Sequence, residues 1–494
     1  MRSIFISYYQ SFVHKFSNKI KKNMLKLILI ISTCIIGLCA CRKTNAPINS
    51  DDLIAETAEY IVNENNIIST NFSGFGTQYN QNVYSSFSAI DGIFTDNINQ
   101  LEAKVKALNS QYVRIFFDSK AWPFDPKYTE TIHADFMDSF IKTVKLAQDA
   151  GAKTINITFW HTSEAAKMSE FANVLHNLIV NHELTAVNEV TIQNEVNLTK
   201  ITFEEYKSFY IALDQSLKSL GIRDRIKFVG GDLVQNNQNL WYDFMAKNMN
   251  SLLDGYSSHV YWNDNETSKP IQRLTDISNI VKGLGTGRKP VYITEYGVRG
   301  GNRPTGVPQP GYLTGSTIPI SETNESALQN ALFQINGLNL GFSGYIRWDC
   351  FKAKYDNGIQ FFSCIGSGTD GYPLYPLYYM TWLFTHTSLP GWNVVETKQG
   401  KNINKVVATM KEPNGNNMTV YALNNSNSKL SYTIGGLPPN KSFRQVSWND
   451  KNDGKVYLLD NITSDKEGNL KLDIQSNSMI ALTTLNVMNN QLPN

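Results

Sequence analysis

Asn194-Glu195 closes the apolar run VTIQ, and one hundred positions later Thr294-Glu295 closes the run PVYI. Each carboxylate follows a stretch of buried-strand character. Two strands of one parallel barrel would bring the pair face to face across its mouth, the arrangement that cleavage of a glycosidic acetal needs. Further polar and aromatic residues stand at or near the ends of other runs: Arg114, Trp160-His161, His259, Tyr261 and Trp348. Such a set suits a sugar, which offers hydroxyls to hydrogen-bonding groups and a C–H face to rings.

The elements that would position them alternate short β-rich runs with longer helical patterns, the signature of a parallel α/β sheet. The eight runs are 72–78, 112–118, 154–160, 190–195, 226–232, 255–261, 290–295 and 344–348. Eight is the barrel number, so a (β/α)8 TIM barrel is predicted over 67–385. Between runs, Phe136, Phe140, Val144 and Ala147 form an amphipathic stripe before Gly151. Thr202 and Glu205 stand at capping-box spacing ahead of Tyr210 and Leu213. A doubly wound open sheet would show a glycine-rich phosphate turn after its first strand, and Gly74-Phe75-Gly76 lacks the third glycine.

Beyond Trp392, β-rich runs separated by Asn, Gly, Asp and Pro clusters predict a β-sandwich over 386–494. The Gly- and Pro-rich connection 299–320 has no period and is expected to overhang the mouth beside Glu295.

At the other end, the apolar stretch Met24 to Ala40 follows a basic segment, the layout of a secretory signal in 1–40. Leu38-Cys39-Ala40-Cys41 resembles the lipobox of bacterial lipoproteins, which implies a lipid anchor on Cys41, placement in the cell envelope and a polar tether over 41–66. An ordinary signal peptide or membrane anchor is the alternative. Without 1–40 the charge balance is 39 basic against 43 acidic residues, which gives no footprint for nucleic acid. Cys350 and Cys364 could form a disulfide, and the absence of CxxC or His-rich clusters gives a structural metal no support.

With these residues in place, the chain resembles the retaining glycoside hydrolases of clan A over about residues 70–350, and its trailing β-domain resembles families 30 and 39, with family 5 also allowed. The resemblance implies that Glu195 is the general acid/base and Glu295 the nucleophile. Arg114, His259, Tyr261 and Trp348 would line the sugar site. It also implies an O-glycosidic, β-linked oligo- or polysaccharide as substrate, double displacement with carboxylates about 5 Å apart, no cofactor and a monomer. Arg114 and Tyr261 would hold Glu295, Asn194 would bind the sugar 2-hydroxyl, and Glu195 would be kept protonated by its neighbour's charge and aromatic walls.

Other positions are open to two readings. His161 is a sugar ligand or a helix-entry hydrogen bonder. Trp160 and Trp262 are stacking platforms or half-buried packing residues, and Trp348 is read as a platform. Asp232 is an outside candidate for substrate contact. Three further Asn-Glu pairs end in Glu64, Glu189 and Glu325, and none of these leaves a strand at its C-terminal end. A glycan-binding protein without turnover, or a transglycosylase, would use the same site.

Overall fold

The computed structural model describes residues 58–122, 125–160, 165–301, 311–355 and 362–493. The signal segment, Cys41, His161 and the middle of the 299–320 connection lie outside them.

Strand β1 (Tyr60–Ser69) precedes eight parallel strands that close into a barrel. These are β2 (Phe75–Tyr79), β3 (Tyr112–Phe117), β4 (Thr154–Phe159), β5 (Val187–Ile192), β6 (Lys227–Leu233), β7 (Gly255–Trp262), β8 (Val291–Val298) and β9 (Tyr345–Arg347). A helix follows each: α1 (Ile98–Leu108), α2 (Glu130–Asp149), α3 (Lys167–His176), α4 (Phe203–Ser219), α5 (Gln238–Asn248), α6 (Lys269–Lys282), α7 (Asn324–Leu340) and α8 (Pro376–Thr387). The predicted TIM barrel is therefore present, each strand on or overlapping its apolar run.

Local chemistry accounts for the helix boundaries. The Thr202 hydroxyl accepts from the Glu205 amide at 3.3 Å while Glu205 Oε2 accepts from the Thr202 amide at 2.7 Å, closing the capping box that opens α4. Helix α2 buries Phe136, Phe140, Val144 and Ala147 and stops just before Gly151, whose φ of 99° disfavours a side chain. Gly76 answers close packing, since a Cβ there would lie 2.0 Å from the Tyr112 carbonyl oxygen.

Strand parity builds the barrel interior. In β3, Val113, Ile115 and Phe117 join the large apolar cluster shared with the helices, whereas Tyr112 joins Val229, Tyr292 and Ile346 in a separate small cluster. Arg114, two residues on from Tyr112, occupies the next layer toward the strand C-termini. Glu189 lies at the opposite end of its strand from Glu195. It is buried, accepts from Asn156 Nδ2 at 2.8 Å and from the Tyr112 hydroxyl, and burial raises its carboxyl.

The C-terminal strands are β10 (Asn393–Lys398), β11 (Lys405–Lys411), β12 (Met418–Asn424), β13 (Leu430–Gly435), β14 (Ser442–Asn449), β15 (Val456–Thr463), β16 (Leu470–Ile474) and β17 (Ser478–Thr483). They form one mostly antiparallel order, β15-β14-β17-β12-β11-β10-β1-β13-β16, bent around its own core. Val420, Ala422, Ile480 and Leu482 face Tyr432, Ile434 and Leu472 in that core, while Tyr421, Leu423, Met479 and Ala481 belong to the barrel's apolar cluster. Both faces of β12 and β17 are thus covered, one by the barrel and the other by the sheet's own core.

Strand β1 corrects the expected tether, because residues 60–66 lie within it. It pairs antiparallel with β10 and parallel with β13. The run YIVNENNIIS is too polar to read as a strand in isolation; its partners come from more than three hundred positions away. Within it Glu64 forms an ion pair with Lys411. Cys350 and Cys364 are both buried free thiols, so the disulfide that their spacing allowed is absent. Glu325 lies in the first turn of α7, where a carboxylate favours the helix dipole.

Candidate active site

The centre is a fully buried arginine. Arg114 reaches up from β3 and donates from Nη1 to Glu295 Oε2 at 2.6 Å and to Gln78 Oε1 at 2.9 Å. Its Nη2 donates to Asn194 Oδ1 at 2.7 Å and to Asp232, and its Nε to Thr158 Oγ1 at 2.8 Å. The guanidinium also lies over the Phe116 ring, 4.5 Å from its centroid. Burial alone would lower the Arg114 pKa, but Asp232 and Glu295 outweigh it and raise it.

Glu295, in β8, is also buried. Its Oε1 accepts from the Tyr261 hydroxyl at 2.7 Å, so a donor holds each oxygen. Tyr261 stays protonated because burial and the Glu295 charge both push its phenol well up. Glu195 is half-buried just past β5, with φ of 49°, and Asp232 in β6 has φ of 48°. Left-handed backbone at such residues costs on the order of 1–3 kcal/mol each, a cost expected at sites whose side chains must be aimed.

His259 joins the carboxylates. Its Nδ1 lies 3.1 Å from Glu195 Oε1 and 3.8 Å from Glu295 Oε2, and its Nε2 lies 3.4 Å from Asp232 Oδ1. Burial would depress the imidazole, yet Glu295, Asp232 and Glu195 outweigh it and lift its pKa to about 9. Asp232 also accepts from Thr294 Oγ1 at 2.6 Å and from Ser257 Oγ at 2.8 Å. Burial raises its carboxyl, but Arg114, His259 and Thr294 hold it well below the usual range.

One side-chain atom from each of Glu195, His259 and Glu295 lies within 4.8 Å of the other two. A cation could use that spacing. The protonated His259 and the Arg114 guanidinium already supply positive charge to the same oxygens, which disfavours one.

An aromatic wall borders the centre. Trp348 is half-buried and stacks on Tyr355, with centroids 4.8 Å apart at 26°, and Trp160, also half-buried, tilts on Phe116 at 4.9 Å. Phe116 links the two, 6.0 Å from Trp348. The Trp348–Asp349 peptide bond is cis.

Arg114, Asn194, Glu195, His259, Tyr261 and Glu295 thus converge, with Trp160 and Trp348 joined to them through Phe116. One open reading is decided and two expectations are corrected. Trp262 is a packing residue, buried against Phe333 and donating from Nε1 to Gln329 at 2.7 Å. Asp232 is sealed below the mouth and serves Arg114 and His259 rather than substrate. Glu195 is not held protonated: burial raises its carboxyl, but the hydrogen bond and charge of His259 outweigh burial and lower it. Gln78, Thr158 and Ser257 escaped sequence reading, and the signal available was that Thr158 and Ser257 share strand parity with Asn156 and His259.

No family model and no curated protein sequence matches the chain. Solved structures do. The catalytic domain of GH30 xylanase C from Talaromyces cellulolyticus superposes with a TM-score of 0.62 at 15% identity, covering 86% of this chain and 100% of that one. An endo-β1,6-glucanase gives 0.60 at 13% over 87% and 94%, and the α-L-arabinofuranosidase from Thermotoga maritima gives 0.57 at 14% over 86% and 99%. The fold is thus that of the family 30 glycoside hydrolase structures, a TIM barrel with a β-sheet domain.

Proposed function

We propose that the protein is a retaining glycoside hydrolase acting on O-glycosidic bonds of a β-linked oligo- or polysaccharide. The observation that carries this reading is the approach of Glu195 and Glu295 oxygens to within 4.8 Å. Inverting enzymes hold their carboxyl groups about 6.5–9.5 Å apart to admit a water, whereas retaining ones hold them at about 5–5.5 Å.

In this reading Glu295, fixed by Arg114 and Tyr261, attacks the anomeric carbon, and Glu195 protonates the departing oxygen. Asn194 has its Oδ1 engaged by Arg114, which leaves its Nδ2 to donate to the sugar 2-hydroxyl. Trp348 and Trp160 offer ring faces to the sugar. The acid's proton resides on His259 in the free site. As Glu295 forms its bond and loses charge, the pull on that proton weakens and Nδ1 releases it to Glu195. In the second half Glu195 takes a proton from the attacking water and the pair is reset.

Incubation with a panel of aryl β-glycosides and β-glycans tests this. Turnover by the native protein that disappears in Glu295→Gln supports it, and glycan binding without any product counts against it. Lipid attachment at Cys41 and an envelope location belong to the same proposal. Labelled palmitate incorporation lost in Cys41→Ala is the corresponding result, and incorporation that persists would contradict it.

A further inference from the structure

A guanidinium carries five N–H donors, and Arg114 engages all of them. Four belong to the fork, Nη1 to Glu295 and Gln78 and Nη2 to Asn194 and Asp232. The fifth, on Nε, goes to Thr158 Oγ1 at 2.8 Å. Because the group is planar, rotation about Cδ–Nε swings both Nη atoms together, and the Nε–H bond fixes that rotation. A slack Nε would displace the donor on Glu295 and the donor on Asn194 at once.

Thr158 does not end the chain. Its hydroxyl, accepting from Arg114, donates to Asn156 Oδ1 at 3.0 Å. Asn156 in turn donates from Nδ2 to Glu189 Oε1 at 2.8 Å and to Thr191 Oγ1 at 3.0 Å. Every link from Arg114 to Glu189 therefore runs in one direction, and links in such a chain polarise one another. Arg114, Asn156 and Glu189 are register partners on β3, β4 and β5, which puts the three on one face of the sheet. Arg114, Thr158, Asn156 and Glu189 are all fully buried.

Glu189 sets the sense of the chain. An acceptor at its Oε1 obliges Asn156 to turn the amide nitrogen that way, which leaves Oδ1 for the Thr158 proton and a Thr158 lone pair for Arg114. Oε1 accepts whether or not a proton sits on Oε2, an atom without a hydrogen-bond partner among the described residues. We propose that Glu189, through Asn156 and Thr158, is a positioning residue for Arg114, and so for the nucleophile Glu295 and for Asn194 at the sugar. It touches no substrate. The proposal rests on the hydrolase reading, which gives Glu295 and Asn194 their roles.

Steady-state kinetics on an aryl β-glycoside that the native protein cleaves, run well below each variant's Tm, tests it. Glu189→Met, of similar length but without an acceptor, should lower kcat by about 10- to 100-fold while KM stays within about twofold. Glu189→Gln, which keeps an acceptor oxygen, should recover most of that loss. Thr158→Val should be at least as slow as Glu189→Met, Thr158→Ser should recover, and the double variant Glu189→Met/Thr158→Val should be no slower than the slower single one. A lower Tm with kcat unchanged in Glu189→Met would make the residue merely structural and overturn the proposal, as would losses that multiply in the double variant. If Glu189→Met does not fold, Asn156→Ala cuts the same chain and carries the same test.

Nuclear magnetic resonance reads Arg114 without turnover. The native protein should show a slowly exchanging arginine Nε–H signal that is missing in Arg114→Lys and exchanges about tenfold faster in Glu189→Met. That change in a protein without turnover sinks the hydrolase reading alone. Native turnover with the Nε–H signal and kcat both unmoved by Glu189→Met sinks this proposal alone.

Discussion

His259 bridges two carboxylates of opposite duty: Nδ1 is 3.1 Å from the half-buried Glu195 and Nε2 is 3.4 Å from the sealed Asp232. The imidazole is consequently protonated well above its ordinary range, with a pKa of about 9. The pair His259–Glu195 titrates as a unit, so its proton is lost near that value.

The alkaline limb of kcat/KM should therefore fall near pH 9 in the native protein. In His259→Asn the proton must reside on Glu195 alone, whose carboxyl then has burial to raise it but no imidazole to share with. The limb should move to lower pH. A pH–rate profile with an unchanged alkaline limb would remove His259 from the proton path.

Stability should follow the same group. A histidine whose pKa is raised on folding contributes stability that is fully present below its unfolded value near 6.5 and is lost as pH rises through about 9. Thermal unfolding of the native protein should accordingly weaken between those limits, and His259→Asn should flatten that part of the Tm–pH curve.

The barrel and its eight strands were legible because each strand lies on or overlaps a local apolar run, and the two catalytic candidates because Glu195 and Glu295 end two of those runs. Strand β1 was not, since NENN reads as solvated chain and only distant partners make it a strand. Asp232 was visible but its role was not, because sequence gives a strand end without the depth of the side chain. The low pKa of Glu195 depends on a histidine from another strand, and no local pattern encodes it.

Removing the central cation should be costly. Arg114→Met leaves Glu295 and Asp232 as buried carboxylates without their guanidinium, and breaking such a pair costs about 3–5 kcal/mol. Urea denaturation should register that loss. Arg114→Lys should recover only part, since an ammonium cannot span Glu295, Gln78, Asn194 and Asp232 together.

Glu195→Gln should lower the rate on poor leaving groups by about 10²–10⁴-fold and much less on activated aryl leaving groups that need no proton. Added azide, which attacks a glycosyl-enzyme without a base, should restore turnover. Equal losses for both leaving-group classes would argue against the acid role.

Covalent trapping addresses the central claim most directly. The native protein, incubated with 2,4-dinitrophenyl 2-deoxy-2-fluoro-β-glycosides matched to the sugars it cleaves, is digested and mapped by mass spectrometry. A fluoroglycosyl adduct on the peptide holding Glu295, with the parent sugar released in retained configuration, is the predicted result. Turnover with an adduct on another residue, or release of the inverted anomer, would contradict it.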